Sequence, residues 1–179
     1  GSLGAYRQLD QLGKTSSLLA SAGLSRDALG RSVTEQALGG SLNIPAVHAA
    51  SLLPPEALLQ HLNALGLALP HTGGYYGQSL ALGSAEVSLL ALTNAYRTLA
   101  NGGLYGAVRT SLAAPAASRA AVPRRVASAA SAHLVADILA DNAARAATFG
   151  LDSALATPGF AAVKTGTSKD LRDNWCIGF

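Results

Sequence analysis

The sequence of 179 residues predicts an α+β fold, a helical subdomain followed by an antiparallel β-hairpin. Two observations carry this expectation. Apolar residues recur at helical spacing in separate blocks up to about Leu139, and about the last 20 residues change to a period of two. Proline and glycine punctuate the boundaries between blocks. A chain of this length falls in the usual range of one domain, so it can bury a core without disulfides or metals.

Residues 1–30 have weak periodicity and read as loop with at most one short helix. Gly1-Ser2 resembles the scar left by tag cleavage, so the sequence is expected to be an excerpt. Ser32-Val33-Thr34-Glu35 has the form of a capping box, which starts a short helix running to about Leu38, before Gly39-Gly40. Ser41-Leu42-Asn43 is expected on the connection, with the next helix starting at Pro45. Pro55 opens a helix carrying Leu58, Leu59, Leu62 and Leu65, and Gly66 supplies its left-handed stop. Gly73 to Gly83 reads as loop. A Ser84 cap then leads a long, largely buried helix with Val87, Leu90, Leu92, Ala95, Tyr96 and Leu99, ended by Asn101-Gly102-Gly103.

Tyr105 to Ala114 and Val122 to Val126 read as short strands or extended loops, divided by Pro115 and Pro123. Ser128 caps a helix carrying Leu134, Val135, Ile138 and Leu139. At the end, Phe160 to Thr167 is one strand, Ser168 to Asp173 a polar turn, and Asn174 to Phe179 the antiparallel partner. Trp175, Ile177 and Phe179 share one face of that partner. The sequence stops within a good strand, which is expected of a truncated domain.

Composition excludes several function classes. Thirteen Lys and Arg against ten Asp and Glu give a net charge of +3, and charged residues are 13% of the chain. The positive balance therefore reflects few acids rather than many bases. No basic run is denser than Arg124-Arg125 and aromatics are 5%, so neither a phosphate track nor a stacking platform for nucleic acid is visible. No window holds the ~18 consecutive apolar residues of a membrane-spanning helix, and no signal peptide opens the chain. A lone cysteine, Cys176, cannot close an internal disulfide and reads as a small buried hydrophobe. His48, His61, His71 and His133 match no zinc spacing, so neither a metal nor a cofactor is expected.

Two apparent motifs fail on spacing. Gly13-Lys14-Thr15 lacks the glycine a P-loop needs five positions earlier, where Gln8 stands, and no serine sits in a G-x-S-x-G elbow. Two others carry chemistry. Ser41-Leu42-Asn43 taken alone is no more than a helix cap or turn. Lys164-Thr165-Gly166-Thr167 is stronger: a lysine on a strand followed by hydroxyl, glycine and hydroxyl can hold an anionic peptide end, although an ordinary hairpin with a solvated lysine has the same pattern. Thr165 and Thr167 project to one side, and Gly166 leaves room for close packing on the other. If the strand is an edge, its free backbone groups can pair with an extended peptide. The charged turn Asp170, Arg172 and Asp173 reads as solvated, with an ion pair as the alternative.

An S-x-N box and K-T-G are two of the three elements that mark penicillin-binding proteins and class A β-lactamases. Longer stretches extend the match: Ala37-Leu38 with Ser41 to Val47, Leu82 to Val87, Ala95-Tyr96-Arg97 with Ala100 to Gly103, and Lys164 to Phe179. Together, from about Arg31 to the last residue, these resemble the transpeptidase domain of a class A penicillin-binding protein, and the last stretch is most similar to the 1C type. One departure is plain. The family's nucleophile lies in a Ser-x-x-Lys box, but the residues three before Lys14, Lys164 and Lys169 are Gln11, Ala161 and Gly166. The resemblance thus makes residues 31–179 a partial domain whose acyl-accepting serine lies elsewhere. It also implies further strands after Phe179 and a preceding glycosyltransferase domain.

The implied parent activity is cross-linking of peptidoglycan stem peptides through an acyl-serine, with β-lactams occupying the same serine. It would act at the periplasmic face of the bacterial inner membrane, through an anchor of the parent. By resemblance, Ser41 relays a proton to the leaving nitrogen, and Asn43 holds the substrate amide and the box lysine. Lys164 supplies charge near the substrate carboxylate, Thr165 and Thr167 donate to that carboxylate, and the Thr167 N–H forms half of an oxyanion hole beside Gly166. The fragment itself is expected to be inactive. The alternative is a non-catalytic module that binds peptide or a cell-wall partner through the same hairpin.

Overall fold

The computed structural model describes residues 33–109 and 122–179. The readings of residues 1–32, including the Ser32 cap, and of positions 110–121 lie outside these. Helix α1 (Val33–Gly39) ends in two bonds that terminate helices by reversal into a left-handed residue. The Leu42 N–H donates to the Ala37 carbonyl at 2.8 Å and the Ser41 N–H to the Leu38 carbonyl at 3.3 Å, while Ser41 takes φ 58°. Helix α2 (Asn43–Ser51) follows at once. It therefore begins two residues earlier than Pro45, because the left-handed turn has already redirected the chain. Asn43 is its first residue and does not lie on a loop.

Helix α3 (Pro55–Ala64) starts with proline, which needs no N–H partner in the first turn, and is stopped by Leu65 and Gly66 at φ +90°. The stretch expected to be loop is helical: α4 (Gly73–Tyr76) and a 3-10 segment, Gly77–Leu82. The Thr72 hydroxyl caps α4, Glu56 of α3 accepts from the Gly73 N–H at 2.7 Å, and Leu80 is buried against Leu59 and Leu69. Tertiary burial thus overrides a glycine-rich local sequence. Helix α5 (Leu89–Ala100) is capped by Ser88 rather than Ser84, whose hydroxyl instead accepts from that of Ser79. It is less buried than expected at its start: Leu89 and Leu90 are exposed, and the buried positions are Asn94, Ala95 and Thr98.

Strands β1 (Leu104–Tyr105) and β2 (Arg124–Arg125) make a minimal antiparallel ladder. Gly103, at φ +86°, lets it form, since a Cβ there would run into the Ala127 carbonyl. Helix α6 (Ala129–Ala140) has the expected Ser128 cap, which accepts from the Ser131 N–H at 2.9 Å. Helix α7 (Asn142–Phe149) is not among the expected elements, because four of its eight residues are alanine and Phe149 is its one large apolar side chain; Asp141 caps it. Strands β3 (Val163–Thr167) and β4 (Asn174–Gly178) pair antiparallel in the expected register, with Thr167 opposite Asn174. Between them Lys169–Leu171 makes one tight turn. Arg172 and Asp170 approach to 4.0 Å there, an exposed pair of little energetic weight.

Two apolar clusters result. One gathers α3, α4 and the 3-10 segment around Leu59, Leu69 and Leu80. The other packs α1, α5 and α6 against the hairpin around Ala136, Leu139 and Ala162, with Phe179 alongside. Cys176 lies outside both and is exposed, contrary to the expectation of a buried hydrophobe. No helix among the described residues is long and apolar enough to cross a membrane.

Helix α7 packs against α1 beside the second cluster. The Arg145 side chain, 3% exposed, donates to the Leu139 carbonyl at 2.5 Å, the Leu155 carbonyl at 3.3 Å and the Asn142 side chain. These acceptors lie at the end of α6, at the start of α7 and on the run toward β3. Replacing Arg145 strands buried carbonyls, each worth ~1–3 kcal/mol when unpaired. R145A is therefore expected to lower unfolding free energy by about 2–4 kcal/mol in urea titration. R124A, removing an exposed arginine that bonds the Ala64 carbonyl and lies 5.3 Å from the centre of the Tyr105 ring, should cost under about 1 kcal/mol.

Candidate functional site

The two motifs meet. Lys164, second residue of β3, donates through Nζ to Ser41 Oγ at 2.5 Å, across 123 positions of sequence, and to the Thr165 carbonyl at 2.8 Å. α1 presents Ser41 and α6 packs on both α1 and β3, so the helix pair sets the separation of the two side chains. No carboxylate among the described residues pairs with the ammonium. Burial accordingly holds the Lys164 pKa below its ordinary 10.5.

Ser41 occupies the position where such helix endings normally place glycine. A residue with a Cβ at φ 58° costs about 1–2 kcal/mol. The serine therefore retains a hydroxyl at a place where backbone energetics favour its loss, and strain of this kind gathers at functional sites.

Hydrogen bonding along the hairpin fixes which backbone groups are available. Ala162 and Phe179 exchange both of their backbone bonds, and the Ser168 N–H donates to the Asp173 carbonyl. In an antiparallel ladder that pattern alternates. Ala162, Lys164, Gly166 and Ser168 thus turn their backbone groups toward β4, while Val163, Thr165 and Thr167 turn theirs to the opposite edge. β3 pairs only with β4 among the described residues, so this edge is open. The Thr165 carbonyl on it already accepts from Lys164, and the Thr167 N–H points the same way.

The remaining expected residues are less tied down. Asn43, two residues from Ser41, is exposed, and its side chain makes no hydrogen bond to a described residue. Thr165 is half-buried opposite Cys176, and Thr167 is exposed. Gly166 has open space where a Cβ would stand, so the close packing expected of it is absent among its described neighbours. Tyr96 of α5, expected only as a buried helix position and part of a matching stretch, has its pKa pushed up to about 12 by burial and by the nearby Cys176. Sequence reasoning assigned it no chemical role. It also missed Thr148 of α7, whose hydroxyl donates to the Gly40 carbonyl at 2.8 Å. Neither lies in a motif with chemistry of its own.

An unpaired strand edge, a desolvated lysine and a left-handed serine in hydrogen-bond contact are compatible with part of a penicillin-binding domain. The chain is 34% identical over 145 residues to penicillin-binding protein 1C of Escherichia coli (strain K12), which supports a penicillin-binding protein relationship. The match takes in 80% of this chain and 18% of that protein. No established family profile matches the chain.

Two outcomes are expected. S41G should be more stable than S41A by about 1 kcal/mol in urea unfolding, because both lose the hydroxyl and only glycine accepts the left-handed backbone freely. Equal stabilities would mean that Ser41 is not held in that conformation. The second concerns pH. The unfolded chain keeps the Lys164 proton up to about 10.5 and the folded chain releases it earlier, so the unfolded state binds more protons in that window. Stability should therefore rise between the folded pKa and 10.5, and fall back as pH drops through the folded value. K164M should lack this component when urea midpoints are compared across pH.

Proposed function

We propose that the chain is part of a peptidoglycan D,D-transpeptidase domain, the penicillin-binding module of a longer cell-wall enzyme. The observation that carries the reading is the Ser41–Lys164 hydrogen bond beside the open edge of β3. In this reading the nucleophile is a serine of a Ser-x-x-Lys box outside these 179 residues. Its oxygen attacks the carbonyl carbon of the penultimate D-alanine, the C–N bond breaks, and the terminal D-alanine leaves with a proton delivered through Ser41. An amine of a neighbouring stem peptide then attacks the acyl ester, forming the cross-link and releasing the serine.

Asn43 orients the substrate amide. Lys164 meets the substrate carboxylate together with the Thr165 and Thr167 hydroxyls, and the Thr167 N–H stabilises the oxyanion, with Gly166 keeping that approach clear. A carboxylate arriving beside Lys164 offsets the burial that weakens its hold on the proton, which fits this role. By the same reading the parent carries a glycosyltransferase domain and acts at the periplasmic face of the inner membrane, and β-lactams compete with the stem peptide.

Labelled penicillin provides the test. The 179-residue chain, lacking the box, is expected to retain no denaturation-resistant label. The chain extended by its own upstream gene sequence should label, and S41A or K164A in it should slow acylation by about 10²-fold or more. An upstream sequence with no Ser-x-x-Lys, or acylation indifferent to both substitutions, would overturn the reading.

A further inference from the structure

Ser41 and Lys164 belong to elements that share no covalent proximity, so something must set one against the other. Helix α7 contacts the approaches to both. On one side it meets the end of α1: a Cβ on Gly39 would lie 2.8 Å from that of Ala144, and the Thr148 hydroxyl donates to the Gly40 carbonyl, immediately before Ser41. On the other, Arg145 of the same helix bonds the Leu139 and Leu155 carbonyls, the end of α6 and the run into β3. Thr148 lies three residues after Arg145 and four after Ala144, so one short helix carries both sets of contacts.

We infer that Thr148 is a positioning residue, which holds the bend at Gly40 so that the Ser41 hydroxyl faces Lys164. The peptide joining Gly40 to Ser41 carries the carbonyl that Thr148 grips. Rotation of that peptide changes the φ of Ser41 directly, and a residue held at φ 58° has an extended alternative of lower intrinsic energy. The hydroxyl bond opposes that rotation. In acylation, where Ser41 relays the proton, the inference rests on the transpeptidase reading; as a statement about the Ser41–Lys164 geometry it does not.

The test separates the two. In the 179-residue chain, Lys164 is followed by NMR of ¹³C-labelled lysine side chains. T148V, isosteric but without the hydroxyl, is expected to move the Lys164 resonance and to shift its titration away from that of the wild type. T148S, which keeps the hydroxyl, should match the wild type, and both should keep the native amide spectrum of the hairpin. A folded T148V with unchanged Lys164 titration, or T148S behaving like T148V, would overturn the inference. If T148V does not fold, T148S paired with T148A supplies the same contrast. In the extended chain that labels with penicillin, T148V should lower the acylation rate several-fold and T148S should restore it. Normal acylation by S41A there would defeat the transpeptidase reading, while the NMR result would decide the positioning role by itself.

Discussion

A half-buried ammonium with no carboxylate beside it among the described residues is held here by a serine hydroxyl and a backbone carbonyl. Neutral acceptors only partly replace the water that Lys164 gives up, so the amine is kept with a weakened hold on its proton. Much of the local architecture follows from supplying those two oxygens. Thr165 must turn its carbonyl away from β4, which the antiparallel alternation provides, and Ser41 must adopt a backbone conformation that its own Cβ disfavours.

The second requirement explains why α1 ends as it does. Two backbone bonds stop the helix and force a left-handed residue, and that reversal points the Ser41 side chain across toward β3. An extended or helical serine would leave on a different vector. Glycine would make the turn more cheaply but present nothing to Lys164. The bend is therefore stabilised from outside, by the close approach of α7 at Gly39 and by the apolar contacts of Leu38 with the second cluster.

Much of this was legible in the residues. Helices α1, α3 and α6 announced themselves through apolar spacing and through proline, serine and glycine at their ends, and the hairpin through its alternation and polar turn. What escaped was structure whose stability comes from distant partners. The α4 and 3-10 segment is rich in glycine and is held by Glu56 and by burial of Leu80, which local propensity does not encode. In α7 four of the eight residues are alanine, which favours a helix but leaves few large apolar side chains to mark it, and Arg145 fixes it in place. Asn43 fell on a helix because the reversal at Ser41 is complete in one residue, and a left-handed serine has no signature in sequence. Cys176 was misjudged from composition, since an alternating strand gives no sign of which face will be covered.

The distribution of exposed apolar side chains bears on how the site is used. Ile44, 84% exposed, together with Leu42, Leu52 and Leu53, flanks or extends α2, a helix with no buried residue that begins two positions after Ser41. Scattered exposed leucines are ordinary, but a mostly apolar helix with no buried residue is stable only through its neighbours. Here those neighbours are the 3-10 segment Gly77–Leu82 and the ends of α1 and α3. The Ser41 bend is therefore braced on one side by α7 and on the other by α2, itself packed on these neighbours. Asn43, exposed on the first turn of α2, is placed by that packing and not by a hydrogen bond from its own side chain to a described residue.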